Sequence, residues 1–238
     1  MSPGADRGVS PAGDRRASAV IVALETSARA SSVAVRAGDG ELETALEAGR
    51  AHASDLLPAL DRMLRELGAA PSEVAAVLVG TGPGSYTGLR VGIATALGLA
   101  LGSGASLRGV PSGETLAFGE LAPGDEGTVL LDARAGEMYL AQYRRTEDEI
   151  EVVRAPCVIR PEDALAALPA SGPIFGDEAA AVAARFGASE RSRLRLDVRP
   201  RASALLALGA ARLERLGPQA PGEIRPLYLR SFPVRPRR

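Results

Sequence analysis

A strand, a glycine-rich turn and a long apolar helix follow one another over residues 75–102, and this segment constrains the fold most strongly. Residues 75–79 are apolar and predict a buried strand. Three glycines and a proline at 80–84 then end it, because these residues favour sharp turns. Ser85 is predicted to cap the following helix, which continues to position 101 with Arg90 as its only charge. A helix this apolar is expected to be buried on more than one side.

Large and small side chains recur along this helix every four residues. The large ones form a ridge, and the small ones form two flanks, which are Gly88, Gly92 and Ala96 on one side and Ala94, Gly98 and Gly102 on the other. Each interior glycine costs about 0.8–1 kcal/mol of helix propensity relative to alanine, so close packing must offset that cost. We predict that one flank packs on the chain's own sheet and that the other faces a partner chain.

The glycine-rich turn does not match the two common phosphate-binding patterns. A P-loop requires a lysine, and the chain contains none. A dinucleotide fingerprint requires glycine where Thr87 stands. The free amides at the start of the helix could hold a small anion, but a purely structural turn is the favoured interpretation.

The chain has one histidine and one cysteine, His52 and Cys157. A zinc site needs several such ligands, and triad hydrolysis needs a histidine among other catalytic groups. No catalytic residue and no metal site are therefore predicted, and His52 is expected to serve structure or an interface. A single cysteine excludes an internal disulfide and fits a reducing cytoplasm. Residues 1–17 lack the apolar segment of a secretory signal and are expected to be a disordered leader, and no membrane span is predicted.

Apolar patterning predicts strands and helices in the order βββαβαβ over residues 18–111. A second unit, residues 112–200, again has three strands in a row, predicted at 128–131, 137–144 and 150–155. Shorter elements follow, including a helix over 177–186 and a strand at 194–198. A helix within 201–217 is expected to return to the first unit, and residues 218–238 form a basic tail. In each unit an acidic residue, Glu25 or Asp132, ends the first strand. The repetition predicts a tandem duplication.

This α/β duplication is similar to the tandem ribonuclease-H-like halves of the actin, hexokinase and Hsp70 (ASKHA) superfamily, with a degenerate second half. Members of that superfamily clamp ATP between the halves and contact its phosphates with an Asp-x-Gly-Thr turn. Here the first turn lacks the glycine. The candidates for a degenerate nucleotide site are Glu25, Thr26 and Ser27 in the first turn and Asp132 and Gly136 in the second. An acid there could hold Mg²⁺ through water, and polar turns without a ligand are the alternative.

Five segments make the resemblance more specific. They are LETSARASSVAV (24–35), HASDLLPALDRML (52–64), GTGPGSYTGLRVGIATALGLALG (80–102), LDARAGEMYLAQY (131–143) and PLYLR (226–230). Together they resemble the bacterial TsaB family, also called YeaZ, over nearly all of residues 19–231. The block GTGPGSYTGLR is the most specific of them.

The resemblance implies a non-catalytic subunit of the machinery that makes N6-threonylcarbamoyladenosine (t6A) at position 37 of tRNAs reading codons that begin with A. The implied partners are the catalytic paralogue TsaD and the ATPase TsaE, with tRNA reached through the complex and a homodimer when the chain is alone. No cofactor is expected to bind tightly. The resemblance allows ATP or ADP with Mg²⁺ to bind at the partner interface.

The family pairs through its first two helices, and the small-residue flanks point to the same helices. The residues predicted for the partner interface are Leu56, Leu60, Met63, Gly88, Leu89, Gly92, Ile93 and Ala96. From Arg185 onward the chain has thirteen arginines against four acidic residues, so this basic quarter is a candidate for direct tRNA contact. The alternative function is that of a small-molecule kinase or nucleotide-binding ATPase of the same fold.

Overall fold

The structure is a computed structural model that describes residues 19–46, 52–134, 136–176, 186–196 and 198–229. The expected leader, the end of the basic tail and most of a helix predicted over 177–186 lie outside these ranges. The side chain of His52 is also outside the description. Among the described residues, no helix combines the length and the apolar character that crossing a membrane requires.

The first half is a five-stranded sheet with two helices. Its elements are β1 (Val20–Glu25), β2 (Ser32–Ala37), β3 (Gly40–Ala45), α1 (His52–Glu66), β4 (Val74–Gly80), α2 (Tyr86–Ser103) and β5 (Ser106–Val110). The strand order is β3-β2-β1-β4-β5. The first three strands are antiparallel neighbours, and β4 and β5 run parallel to β1. This half therefore has the predicted order βββαβαβ.

The second half repeats the same arrangement. Its elements are α3 (Ser112–Glu120), β6 (Glu126–Arg134), β7 (Glu137–Arg145), β8 (Ile150–Ile159), α4 (Ala164–Ala167), β9 (Ile174–Phe175), α5 (Ala188–Arg191) and β10 (Leu194–Arg195). The strand order, β10-β9-β6-β7-β8, matches that of the first sheet when each strand is counted from the start of its own half. The predicted fold class, with its duplicated α/β architecture and a shortened second copy, is thus confirmed.

Helix α6 (Ala202–Leu216) leaves the second half and packs on the sheet of the first. A side chain at Gly209 would meet Leu78 of β4 at 2.9 Å, so the helix lies close to the sheet. The helix begins against residues of the first half, since the Ala202 amide donates to the Ser32 hydroxyl at 2.8 Å and the Ser203 amide to the Glu43 carboxylate at 3.0 Å. These distant groups satisfy amides that would otherwise lack partners at the helix start.

Several predicted boundaries move in the structure. The strand predicted at 128–131 is longer, Glu126–Arg134, because it pairs with β7 along its length. The strand predicted at 150–155 continues to Ile159 through Pro156, which an edge strand tolerates because one side of its backbone needs no hydrogen bond. The strand predicted at 194–198 is reduced to Leu194–Arg195.

A partly buried ion-pair cluster joins α6 to the second half. The Arg212 guanidinium lies 2.6 Å from the Glu114 carboxylate of α3 and 2.5 Å from Glu149, which precedes β8. Burial raises the pKa of Glu114, although Arg212 opposes that effect. Burial acts in the same direction on Glu149, but hydrogen bonds from Arg212 and from the Ile150 amide outweigh it, so the pKa of Glu149 is lowered. Arg215 also pairs with Glu149 but is mostly exposed.

Replacing Arg212 by leucine should lower the free energy of unfolding by about 3–5 kcal/mol, because the Glu114 carboxylate would then be buried without a cation and Glu149 would keep only the exposed Arg215. Urea unfolding followed by circular dichroism measures the change. Arg215→Ala is the matched control, since an exposed pair is worth about 0–1 kcal/mol. Equal losses in the two variants would contradict this account of the cluster.

Candidate functional site

The glycine-rich turn and the first polar turn are packed directly on each other. The Ser85 amide donates to the Ser27 carbonyl at 2.7 Å. A Cβ at Gly84 would lie 2.4 Å from that carbonyl oxygen, so only glycine fits there. Ser85 also caps α2 as predicted, because its hydroxyl accepts from the Gly88 amide at 3.2 Å. The glycine-rich turn is therefore in direct contact with the first of the two turns that would hold phosphate in an ASKHA enzyme.

Glu25 is buried beneath this contact. Its Oε1 accepts from the Ser27 amide at 2.9 Å and from the Ser112 hydroxyl at 3.2 Å. Its Oε2 lies against Gly80, where a Cβ would come within 2.3 Å, and makes no hydrogen bond among the described residues. Burial raises the pKa of Glu25, and the hydrogen bonds from Ser27 and Ser112 only partly oppose that effect. Glu25 thus links the ends of β1 and β4 to the start of α3.

Replacing Glu25 by glutamine tests the raised pKa. The folded chain keeps the proton at pH values where the unfolded chain has released it, so its stabilising effect is fully present below the ordinary pKa of 4.5. That contribution to the free energy of unfolding is lost as the pH rises towards the folded pKa. Urea unfolding between about pH 4 and pH 8 should therefore show Glu25→Gln gaining stability relative to wild type as the pH rises.

Glu66→Gln, which changes an exposed carboxylate of α1, is the control for this pH series. Its difference from wild type should vary less with pH than that of Glu25→Gln. A pH-independent difference between Glu25→Gln and wild type would show that the buried carboxyl does not titrate in this range.

Only two of the five nucleotide-site candidates line the cleft between the halves. Ser27 and Asp132 face a cavity of about 20 Å³, together with Arg29, Gly84 and Pro200 among others. That volume suits about one water molecule, whereas small-molecule sites measure about 300–1,000 Å³.

The other three candidates lie elsewhere. Glu25 and Thr26 are buried behind the glycine-rich turn. Gly136 is exposed in the β6–β7 hairpin. Its φ of 77° favours glycine, so the turn itself explains the residue there. Within the residues that the structure describes, no group of three or more His, Cys, Asp or Glu could hold a metal ion.

The eight residues predicted for a partner interface lie inside this chain's own core. The six with side chains are almost inaccessible to solvent and pack in the first half, namely Leu56, Leu60, Met63, Leu89, Ile93 and Ala96. Gly88 and Gly92 are buried as well, and a Cβ at either would come within 2.1 Å of Thr26. These residues are therefore not exposed for a direct contact in the chain alone. The three on α1 are buried in the core, and the five on α2 lie on the flank that faces Thr26 and the chain's own sheet.

The opposite flank of α2 is the exposed one. A Cβ at Gly98 or Gly102 would meet no atom within 4 Å. These residues and Ala94 line a groove of about 610 Å³ between α1, α2 and the 71–73 turn. Leu57 of α1 is 50% exposed beside it, and Leu101 of α2 is 89% exposed. We name Leu57, Ala94, Gly98, Leu101 and Gly102 the open flank.

Sequence reasoning missed an exposed aromatic cluster at the start of α2. The rings of Tyr86 and Tyr228 stack with centroids 5.6 Å apart. The Arg90 guanidinium lies 4.2 Å from the Tyr86 ring centre, and its Nε donates to the Tyr228 hydroxyl at 3.3 Å. The i, i+4 spacing of Tyr86 and Arg90 on a helix was a usable signal, but nothing local pointed to Tyr228.

The two flanks of α2 should respond oppositely to an added methyl group. Gly92→Ala places its Cβ against Thr26 Oγ1 at 2.1 Å, so it should destabilise the chain by about 1–3 kcal/mol through overpacking. Gly98→Ala meets nothing and should stabilise the chain by about 0.5–1 kcal/mol through helix propensity. Urea unfolding of both variants measures the contrast, and similar effects at both positions would refute the assignment of the flanks.

The fold and this cleft define a class, that of a duplicated ASKHA-type protein whose first phosphate turn packs against the glycine-rich turn. The family model described as TsaD: tRNA N6-adenosine threonylcarbamoyltransferase matches residues 46–195. The chain is 37% identical over 146 residues to the tRNA threonylcarbamoyladenosine biosynthesis protein TsaB of Escherichia coli, which is 60% of this chain and 63% of that protein. A shorter stretch is 48% identical over 63 residues to the tRNA N6-adenosine threonylcarbamoyltransferase of Nitratidesulfovibrio vulgaris, covering 26% of this chain and 18% of that protein.

The solved structure of YeaZ from Pseudomonas aeruginosa has a similar fold, with a TM-score of 0.77 at 28% identity, and the match covers 89% of this chain and 100% of that one. The chain belongs to the TsaD family, on the branch of its TsaB and YeaZ members. The sequence matches span less than two thirds of the length of each curated relative named above.

Proposed function

We propose that this chain is the scaffold subunit of the tRNA t6A37 threonylcarbamoyltransferase complex, where it pairs with a TsaD paralogue that carries the catalytic site. One observation carries the proposal: the open flank of α2 is exposed beside a groove of about 610 Å³, whereas the cavity between the halves has a volume of only about 20 Å³. The names of the relatives support the pathway, and the family match to TsaD supports a paralogous partner. The non-catalytic role is part of this proposal.

The open flank has the chemistry of a helix-packing surface. Leu57 and Leu101 are large, exposed and apolar, and burying each fully would contribute about 1.5–3 kcal/mol. Ala94, Gly98 and Gly102 let the backbone of a second helix come close. The partner in this proposal is therefore a paralogue that presents its own corresponding helices, in a four-helix contact.

The aromatic cluster extends this surface towards the start of α2. Tyrosine and arginine are enriched among residues that dominate interface energies, and Tyr86, Arg90 and Tyr228 already hold one another in place. A second copy of this chain would use the same face, so homodimer and paralogue complex should be mutually exclusive. The proposal also includes TsaE joining the complex, ATP or ADP with Mg²⁺ at the shared interface, and a cytoplasmic location, where the tRNA substrates are.

The kinase alternative gains no support from the cleft. Ser27 and Asp132 both line it, but a cavity of about 20 Å³ does not admit a nucleotide. Calorimetric titration of the chain alone with ATP and Mg²⁺ checks this directly. Micromolar binding without a partner would favour the kinase.

Gly98→Leu should abolish pairing while the monomer stays folded, because its side chain points into open space in the monomer and into the partner in the complex. The test is co-expression of the tagged chain with the TsaD paralogue of the same organism, followed by sizing of the purified complex. Gly222→Leu is the matched control, since its Cβ also meets nothing within 4 Å and the residue belongs to the 221–223 turn and not to α2. Gly92→Leu is unsuitable because it would collide with Thr26.

Wild type and Gly222→Leu should elute as a stoichiometric complex that forms t6A on tRNA with the required substrates, and Gly98→Leu should elute alone. Normal pairing of a folded Gly98→Leu would show that the open flank is not the interface. Failure of the wild type to pair with the paralogue would refute the scaffold function itself.

A further inference from the structure

We propose that three arginines at the mouth of the inter-half cleft, Arg29, Arg199 and Arg201, bind the phosphate backbone of the tRNA directly. We name them the cleft rim. The inference rests on the proposed function, which supplies the RNA, and adds to it a contact made by this chain itself.

The structure divides the arginines of the basic C-terminal quarter into two groups. Arg212 and Arg215 are engaged by Glu114 and Glu149. Arg193 donates to the carbonyls of Pro169 and Gly172, and Arg225 to that of Gly222. The side chains of these four arginines are engaged within the described part of the chain, so they do not form a free binding surface.

The second group lies around Pro200. Pro200 and Arg29 line the same small cavity, so the loop from the first half and residues 199–201 meet at the cleft. Arg199 and Arg201 line a neighbouring surface hollow of about 340 Å³. Arg29, Arg199 and Arg201 are all exposed, and none takes part in the ion pairs found among the described residues. The rim therefore gathers cations from both halves of the chain.

The backbone next to Arg201 is anchored. Immediately after Arg201, the Ala202 amide donates to Ser32, and Ser203 donates to Glu43 through both its amide and its hydroxyl. On the other side, Arg195 donates to the Glu120 carbonyl at 2.7 Å. Arginines on an anchored backbone lose less entropy when they bind than arginines on a loose tail.

The arrangement fits a phosphodiester backbone better than a small anion. Guanidinium groups recognise phosphate with paired hydrogen bonds, and the cleft itself has no room for a nucleotide. The neighbouring carboxylates are Glu43, Glu120 and Asp132. Glu43 is occupied by the start of α6, and the other two line the hollow and the cavity. A polyanion that runs along the surface can reach all three arginines at once, which a single small anion inside either cavity cannot.

The test compares the full-length wild type with Arg29→Ala/Arg199→Ala/Arg201→Ala, using fluorescence anisotropy with an A37-containing tRNA transcript that reads a codon beginning with A. Each lost phosphate contact should lower the slope of log K against log salt by about 0.7–0.9, so the triple variant should lose about 2–3. Arg199→Ala is measured as well, as a rim variant that removes a single charge. Arg144→Ala is its matched single-charge control. Arg144 is exposed at the end of β7 that pairs with Glu126, whereas Asp132 at the other end of β6 lines the cleft.

The same variants are then measured in the complex with the TsaD paralogue. The rim variants should raise the KM for tRNA about tenfold and leave kcat unchanged, and Arg144→Ala should match wild type in both assays. If the wild-type complex is active and the rim variants match Arg144→Ala, the rim inference is wrong and the scaffold function stands. If the wild-type complex does not form or does not modify tRNA, the scaffold function fails, and the anisotropy series alone decides whether the rim binds RNA. Equal losses in rim and control variants would indicate a general charge effect and also overturn the inference.

Discussion

The contact between α2 and the first polar turn is the constraint on which the rest of the structure depends. Two glycines of α2, Gly88 and Gly92, let the helix lie against Thr26 with no room for a methyl group. The Ser27–Ser85 hydrogen bond then closes the turn above that contact, and Glu25 is sealed below it. Because this flank of α2 is used internally, the opposite flank is the one left for another molecule. The same packing that builds the first half therefore decides which surface is exposed.

Elements with strong local signals could be predicted from the sequence. The Ser85 cap, the limits of Ala202–Leu216 and the repeated strand order all follow from caps, apolar periodicity and duplication. The exposed flank of α2 could not, because both flanks consist of small residues at the same spacing and only the position of Thr26 distinguishes them. The stacking of Tyr86 on Tyr228 could not be predicted either, since it depends on where the chain returns 142 positions later in the sequence.

The nucleotide site illustrates a related limit. The sequence shows that the first phosphate turn lacks its glycine, but the prediction treated five residues as one group. The structure brings Ser27 and Asp132 to a common cavity and puts Glu25 and Thr26 in the interior. A carboxylate at the end of a strand can face either a ligand or a neighbouring helix. For Glu25, the hydroxyl of Ser112 and the space above Gly80 select the interior.

Helix α6 gives the molecule a mechanical property, because it is bonded to both halves. Its first residues are bonded to Ser32 and Glu43 of one half, and Arg212 near its end is bonded to Glu114 and Glu149 of the other. Swinging the halves apart would break both sets of bonds, so α6 braces the two halves against each other. A chain braced in this way keeps its surfaces preorganised, and little ordering entropy is lost when another molecule binds.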